Sequence, residues 1–165
     1  MLYFAYGSNM CTGRLRGRVS TANSVCIARL PNHTLRFHKR SSDGSGKADA
    51  SYTGNPNDGV WGVVFEIEDR QKPRLDRAEG LSQGYDEAEI MVLDVEGVEH
   101  RVSAYLAQAS HVDATLLPFS WYKRFVVNGA RQHGLPADYV AQIEAVATEQ
   151  DEERGCDSKN QGINC

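Results

Sequence analysis

The residue pattern predicts an α+β fold, a strongly curved mixed sheet or small barrel with helices packed outside. Short apolar or alternating runs of strand character recur along most of the chain. Helical patterns are few and short. The two kinds do not alternate regularly, which argues against a doubly wound nucleotide-binding sheet.

Leu2 to Tyr6 has the aromatic and aliphatic content of a buried strand. It stops at Gly7-Ser8-Asn9, where glycine permits a close backbone approach and Ser8 and Asn9 are suited to cap a helix over Met10 to Arg16. Backbone N–H groups pointing outward at such a junction form an anion or oxyanion cradle. Strand–turn–helix junctions of this type are also common without any ligand.

Ser24 to Ala28 and Thr34 to His38 read as strands broken at Pro31-Asn32, with Leu35 and Phe37 on one face and Arg36 and His38 on the other, wet face. Lys39 to Lys47 is polar and glycine-rich, a mobile loop that either borders a pocket or merely connects a hairpin. A phosphate-binding P-loop would need glycine at position 41 and serine or threonine at 48, where Ser41 and Ala48 stand. Ala48 to Thr53 is a further strand, followed by a turn over Gly54 to Gly59.

Val60 to Ile67 is apolar on both faces, as in a strand crossing the core, and Gly62 marks a close backbone approach. Pro73 to Glu79 is a short helix with Leu75 and Ala78 on its apolar edge and Gly80 as its stop. Tyr85 to Val95 and Val98 to Ala107 form a hairpin through Glu96-Gly97, read as a two-residue turn. After Pro118, Trp121, Phe125, Val126 and Gly129 recur at helical spacing. A break is expected from Asn128 to Pro136, then a last amphipathic helix carrying Tyr139, Ile143 and Val146.

The 165 residues suit one domain, residues 1–148, with 149–165 expected to be a disordered polar tail. A net charge of -4 with scattered Lys and Arg argues against a nucleic-acid surface, and no run is long enough to span a membrane. A soluble, cytoplasmic protein is expected, with its oligomeric state open. Cys11 and Cys26 read as small apolar filler in a reducing compartment, while Cys156 and Cys165 are able to pair on oxidation. The five histidines, His33, His38, His100, His111 and His133, lack paired ligand spacing, so no metal is expected. Ser8 lacks the Gly-x-Ser-x-Gly setting of a serine nucleophile.

Phe4-Ala5-Tyr6-Gly7-Ser8-Asn9-Met10 resembles the signature loop of the gamma-glutamylcyclotransferase family. Three more segments match in order: Val60 to Phe65, then Leu75-Asp76-Arg77-Ala78-Glu79-Gly80 with Gly84-Tyr85, then Tyr122-Lys123-Arg124 through Asn128-Gly129-Ala130 to Gly134-Leu135-Pro136. The likeness extends to about Val146. It implies a single compact mixed β-barrel flanked by helices, with its pocket at one mouth. It also implies a cofactor-free reaction in which the α-amine of a gamma-glutamyl group attacks its own side-chain carbonyl, closes 5-oxoproline and expels the attached amine or amino acid.

By that resemblance Glu79 is the proton shuttle, and Tyr6, Gly7, Ser8, Asn9, Tyr85 and Tyr122 bind substrate. A free glutamic acid titrates near ~4.3, so a base effective at neutral pH calls for burial. Asp76, one turn earlier, is the rival base, and a solvated Glu79 with ordinary core tyrosines is the plain alternative. Two other functions compete: a non-catalytic domain that binds or senses small anions, and a redox-linked interaction module acting through the cysteine tail.

Overall fold

In the computed structural model, which describes residues 1–151 and 162–165, the central strand is the one the sequence marks most strongly. β5 (Gly59–Glu66) buries Gly62, Val63, Val64 and Phe65 in succession, so both of its faces are covered. On one side it pairs antiparallel with β1 (Leu2–Ala5) in the register Phe4↔Val64, and on the other with β2 (Asn23–Pro31) in the register Ala28↔Gly62. β2 meets β6 (Tyr85–Asp94) only at Ala28↔Asp94 and Arg29↔Leu93. β6 forms a long hairpin with β7 (Glu99–Ala107), and β7 returns to β1 at the parallel pair Tyr3↔Ser103. The result is a closed barrel in the order β1-β5-β2-β6-β7. A Cβ at Gly62 would lie 2.5 Å from the Ala5 carbonyl oxygen, so the close approach expected of that glycine is real.

β3 (His33–Arg40) and β4 (Gly46–Tyr52) form a separate two-stranded sheet. Both ends of the stretch expected as a mobile loop are therefore strand, with Lys39 opposite Lys47 and Ser41 to Ser45 connecting them. Lys39 shares the face of Phe37, is buried, and lays its ammonium 4.6 Å from the centre of the Tyr85 ring. His38 does not face water either: its Nε2 lies 2.8 Å from Oδ2 of the buried Asp49.

α1 (Thr12–Arg18) follows a 3-10 turn over Ser8–Met10 and has no side-chain cap. The capping roles expected for Ser8 and Asn9 do not occur, because both side chains are engaged elsewhere. α2 (Lys72–Glu79) carries Pro73 in its first turn and ends at Gly80, whose φ of 71° is the left-handed stop conformation. Leu75 is its one buried residue; Ala78 faces out. The β6–β7 turn is longer than the expected two residues: the Asp94 amide donates to the Val98 carbonyl, and Gly97, at φ 81°, closes a three-residue loop.

α3 (Ser120–Gln132) runs straight through the expected break at Asn128. Gly129 is a packing residue, since a Cβ there would lie 2.4 Å from the Cys11 nitrogen. The helix ends where Gly134 takes φ 70°. α4 (Ala137–Glu144) then buries Tyr139, Val140 and Ile143.

Glu149 exchanges backbone hydrogen bonds with Pro118 and Ser120. Cys11 is not a reduced filler but is joined by a disulfide to Cys165. Cys165 is therefore not paired with Cys156, which lies outside the described residues together with most of the expected tail. Cys26 is a free thiol. No helix among the described residues is long and apolar enough to cross a membrane.

Candidate active site

The barrel connectivity brings two chain ends to one mouth: the exit of β1, which becomes the Gly7-Ser8-Asn9 turn, and the last residue of α2, Glu79. The pocket between them is lined by Tyr3, Tyr6, Gly7, Ser8, Asn9, Ala48, Glu79, Tyr85, Tyr105 and Tyr122. All seven residues singled out in the sequence are in this wall. Tyr3, Ala48 and Tyr105 are additional.

The Glu79 side chain is 17% exposed and asymmetrically held. Its Oε1 accepts a 2.6 Å hydrogen bond from Asn9 Nδ2 and a 2.8 Å bond from Arg18 Nη1. The same Arg18 nitrogen donates to Asn9 Oδ1 at 2.8 Å, and Asn9 Nδ2 also reaches the Tyr3 hydroxyl at 3.0 Å. Among the described residues, Glu79 Oε2 has no hydrogen-bond partner and is left to the pocket. Asp76 is committed instead: Lys72 Nζ lies 2.7 Å from its Oδ1, and the Tyr105 hydroxyl donates to the same oxygen at 2.5 Å.

Two arginines one helical turn apart on α1 brace the loop. Arg14 Nε donates to Ser8 Oγ at 3.2 Å, and Arg18 holds Asn9. The 3-10 turn uses the Met10 and Cys11 amides, which donate to the Gly7 and Ser8 carbonyls. The amides of Gly7, Ser8 and Asn9 have no acceptor among the described residues. Gly7 is closely surrounded: a Cβ would sit 3.1 Å from both Ala48 Cβ and the Tyr122 hydroxyl, which would have to give by a few tenths of an ångström.

The tyrosines form a hydrogen-bonded frame. Tyr85 donates to the Ala48 carbonyl at 2.5 Å, Tyr122 Oη accepts from the Ala48 amide at 3.1 Å, and Tyr6 donates to the Tyr105 carbonyl. Burial pushes the phenols of Tyr3, Tyr6 and Tyr85 well above their ordinary pKa, with nearby negative charge adding to the shift, and it also raises Tyr122. All four remain neutral hydroxyls at physiological pH. Lys47 and Arg40, on the strands beside the pocket, are engaged with Asp43 and Asp113 respectively.

Besides Tyr3, Ala48 and Tyr105, Arg18 is absent from the residues singled out in the sequence. The four-residue spacing of Arg14 and Arg18 was visible, but it specifies a shared helix face and not what that face meets.

A small closed barrel with one carboxylate facing an amide-lined turn inside a tyrosine-walled pocket defines a class of protein, and comparison with known proteins specifies it further. The AIG2-like family matches residues 59–143. Human gamma-glutamylcyclotransferase is 34% identical over 153 residues, covering 88% of this chain and 78% of that protein. The mouse gamma-glutamylcyclotransferase is 35% identical over 149 residues with the same coverage. A solved structure of a gamma-glutamyl cyclotransferase superposes with a TM-score of 0.83 at 31% identity, covering 96% of this chain and 98% of that one. The chain belongs to the gamma-glutamylcyclotransferase family.

Proposed function

We propose that the protein is a gamma-glutamyl cyclotransferase that releases 5-oxoproline and a free amine or amino acid from a small gamma-glutamyl substrate. In this reading Glu79 Oε2 takes a proton from the attacking α-amine. The amine nitrogen bonds to the side-chain carbonyl carbon, and the resulting oxyanion is received by the amides of the Gly7-to-Asn9 turn. Collapse of the tetrahedral intermediate breaks the bond to the leaving nitrogen, to which Glu79 returns the proton. The ring closes within one molecule, so the pocket's task is to fold the substrate and stabilise charge. Tyr6, Tyr85 and Tyr122 wall the folded substrate, and their neutral hydroxyls keep the Ala48 segment and the loop in place.

The observation that carries the proposal is the 2.6 Å contact of Glu79 with Asn9, which sets the carboxylate beside the turn that presents the amides. The test is a 5-oxoproline release assay over gamma-glutamyl amino acids, isopeptide-linked gamma-glutamyl lysine and gamma-glutamyl amines. Turnover of at least one class is expected, abolished by Glu79→Gln and retained by Asp76→Asn. Absence of product from every class, or full activity in Glu79→Gln, overturns the reading.

A further inference from the structure

Far from the pocket, at the turn end of the β6–β7 hairpin, the fold assembles three side chains that the sequence scattered. Cys26 comes from β2, Asp94 from the end of β6 and His100 from the start of β7. Asp94 lies nine residues along β6 from Tyr85, roughly 30 Å at about 3.3 Å per residue. His100 Nε2 is 2.8 Å from Asp94 Oδ2 and 3.9 Å from Cys26 Sγ. The thiol, imidazole and carboxylate ligand atoms all lie within 4.8 Å of one another.

We propose that Cys26, Asp94 and His100 form a binding site for a borderline divalent cation of the zinc type, which ties β2 to the β6–β7 hairpin. Bond lengths of about 2.3 Å to sulfur and about 2.0–2.2 Å to nitrogen and oxygen put tetrahedral ligand pairs roughly 3.2–3.6 Å apart. The observed separations bracket that range. Small side-chain rotations bring the three atoms onto one centre, leaving a fourth position for water.

Two features hold the ligands ready. Asp94 Oδ1 accepts the amides of Glu96 and Val98, both at 2.9 Å, so the three-residue turn fixes the carboxylate and aims Oδ2 at His100. On β2 the register with β5 shifts between Ser24 and Cys26, a bulge that leaves Val25 exposed and re-aims the thiol. The Asp94 and His100 side chains are 13% and 21% exposed, shielded yet reachable.

The place has structural sense. The β2–β6 seam is registered only at Ala28↔Asp94 and Arg29↔Leu93, and a cation held across it would close the barrel where its ladder is short. Binding sends the Cys26 thiol proton to solvent. The Nε2 proton that His100 shares with Asp94 in the metal-free site is replaced through solvent by one on Nδ1, and the freed Nε2 lone pair goes to the metal.

The test uses the full chain with its disulfide intact, in a Cys156→Ser background, titrated with Co²⁺ as a spectroscopic probe and then with Zn²⁺ in competition. One equivalent of Co²⁺ should give a thiolate charge-transfer band together with the intense visible absorption of a four-coordinate site, and Zn²⁺ should erase both. Cys26→Ser and His100→Gln should each remove the charge-transfer band and the stoichiometric binding. Both variants should retain the far-ultraviolet circular dichroism of the parent. Zn²⁺ should raise the Tm of the parent and leave that of Cys26→Ser unchanged. Overturning results are the absence of a thiolate band in the parent, its persistence in either variant, or an equal Zn²⁺ shift in Cys26→Ser. Because 5-oxoproline release is not the readout, this test stands apart from that of the proposed reaction.

Discussion

Gly129→Ala sets two rules of helix chemistry against each other. Inside an exposed helix the change stabilises by about 1 kcal/mol, because alanine is the better helix former. At this place in α3 the new Cβ would lie 2.4 Å from the Cys11 nitrogen and 2.5 Å from the Met10 carbonyl carbon. Ordinary contact begins at 3.4 Å, so the helix and the Ser8–Met10 turn must separate by about 1 Å, and what must move is backbone. Overpacking of this kind costs about 1–3 kcal/mol, occasionally more. After the propensity gain, a net loss of up to about 2 kcal/mol remains, which for a chain of this length lowers Tm by up to about 8 °C. The displaced turn also carries Asn9 and the free amides, and a shift of about 1 Å in a reacting geometry can cost roughly 100-fold in turnover. Thermal unfolding followed by circular dichroism and the 5-oxoproline assay measure the two effects. A Tm equal to or above that of the parent, with turnover intact, would refute the packing argument and return Gly129 to the role of a helix breaker.

Two further outcomes are expected. Arg18→Met should cut kcat about tenfold or more, the equivalent of losing roughly 1.4 kcal/mol of positioning on Glu79, while unfolding stability falls by less than about 1 kcal/mol because the ion pair is partly exposed. Steady-state kinetics beside urea unfolding separates the two, and unchanged kcat would remove Arg18 from the site. At alkaline pH, Tyr3, Tyr6 and Tyr85 should resist ionisation. Their folded pKa values are raised, so the stability they contribute is fully present below the unfolded value of about 10 and is lost as pH climbs beyond it. Ultraviolet titration of tyrosinate should show these phenols ionising only together with unfolding, and early, fully reversible ionisation of all seven tyrosines would contradict it.

Local patterning carried far in this sequence, and it failed where distant parts meet. β5 and α2 were legible because their neighbours barely matter: four consecutive buried residues specify a doubly covered strand, and Pro73 with Gly80 specifies both ends of a helix. Gly129 misled for the opposite reason. It falls at helical spacing yet also inside the stretch from Asn128 that reads as a break, and its cause lies across the core at Met10 and Cys11. Lys39 misled likewise, because a polar, glycine-rich neighbourhood gives no hint that an aromatic face waits for its ammonium. Of the site, Glu79 and the loop were recovered through resemblance to a family. Arg18 and the Cys26, Asp94 and His100 cluster depend on tertiary register, which no spacing in one sequence encodes.

As a proton shuttle Glu79 must meet two demands, being held in place beside the loop and offering a free oxygen to the substrate. The geometry separates the two demands. Arg18 and Asn9 both bond Oε1, leaving Oε2 for the pocket, so the carboxylate is anchored by one oxygen and presented by the other. In the proposed reaction the shuttle begins as a carboxylate, holds a proton only between attack and collapse, and must return it to the leaving nitrogen. The two bonds to Oε1 oppose the rotation of Glu79 that would carry Oε2 away from the amides of Gly7, Ser8 and Asn9. On this reasoning Arg18 is a positioning residue whose loss lowers kcat through disorder of Glu79, and Arg18→Lys, which keeps the charge but cannot bridge Oε1 and Asn9 Oδ1 with the same planar geometry, should recover only part of the rate.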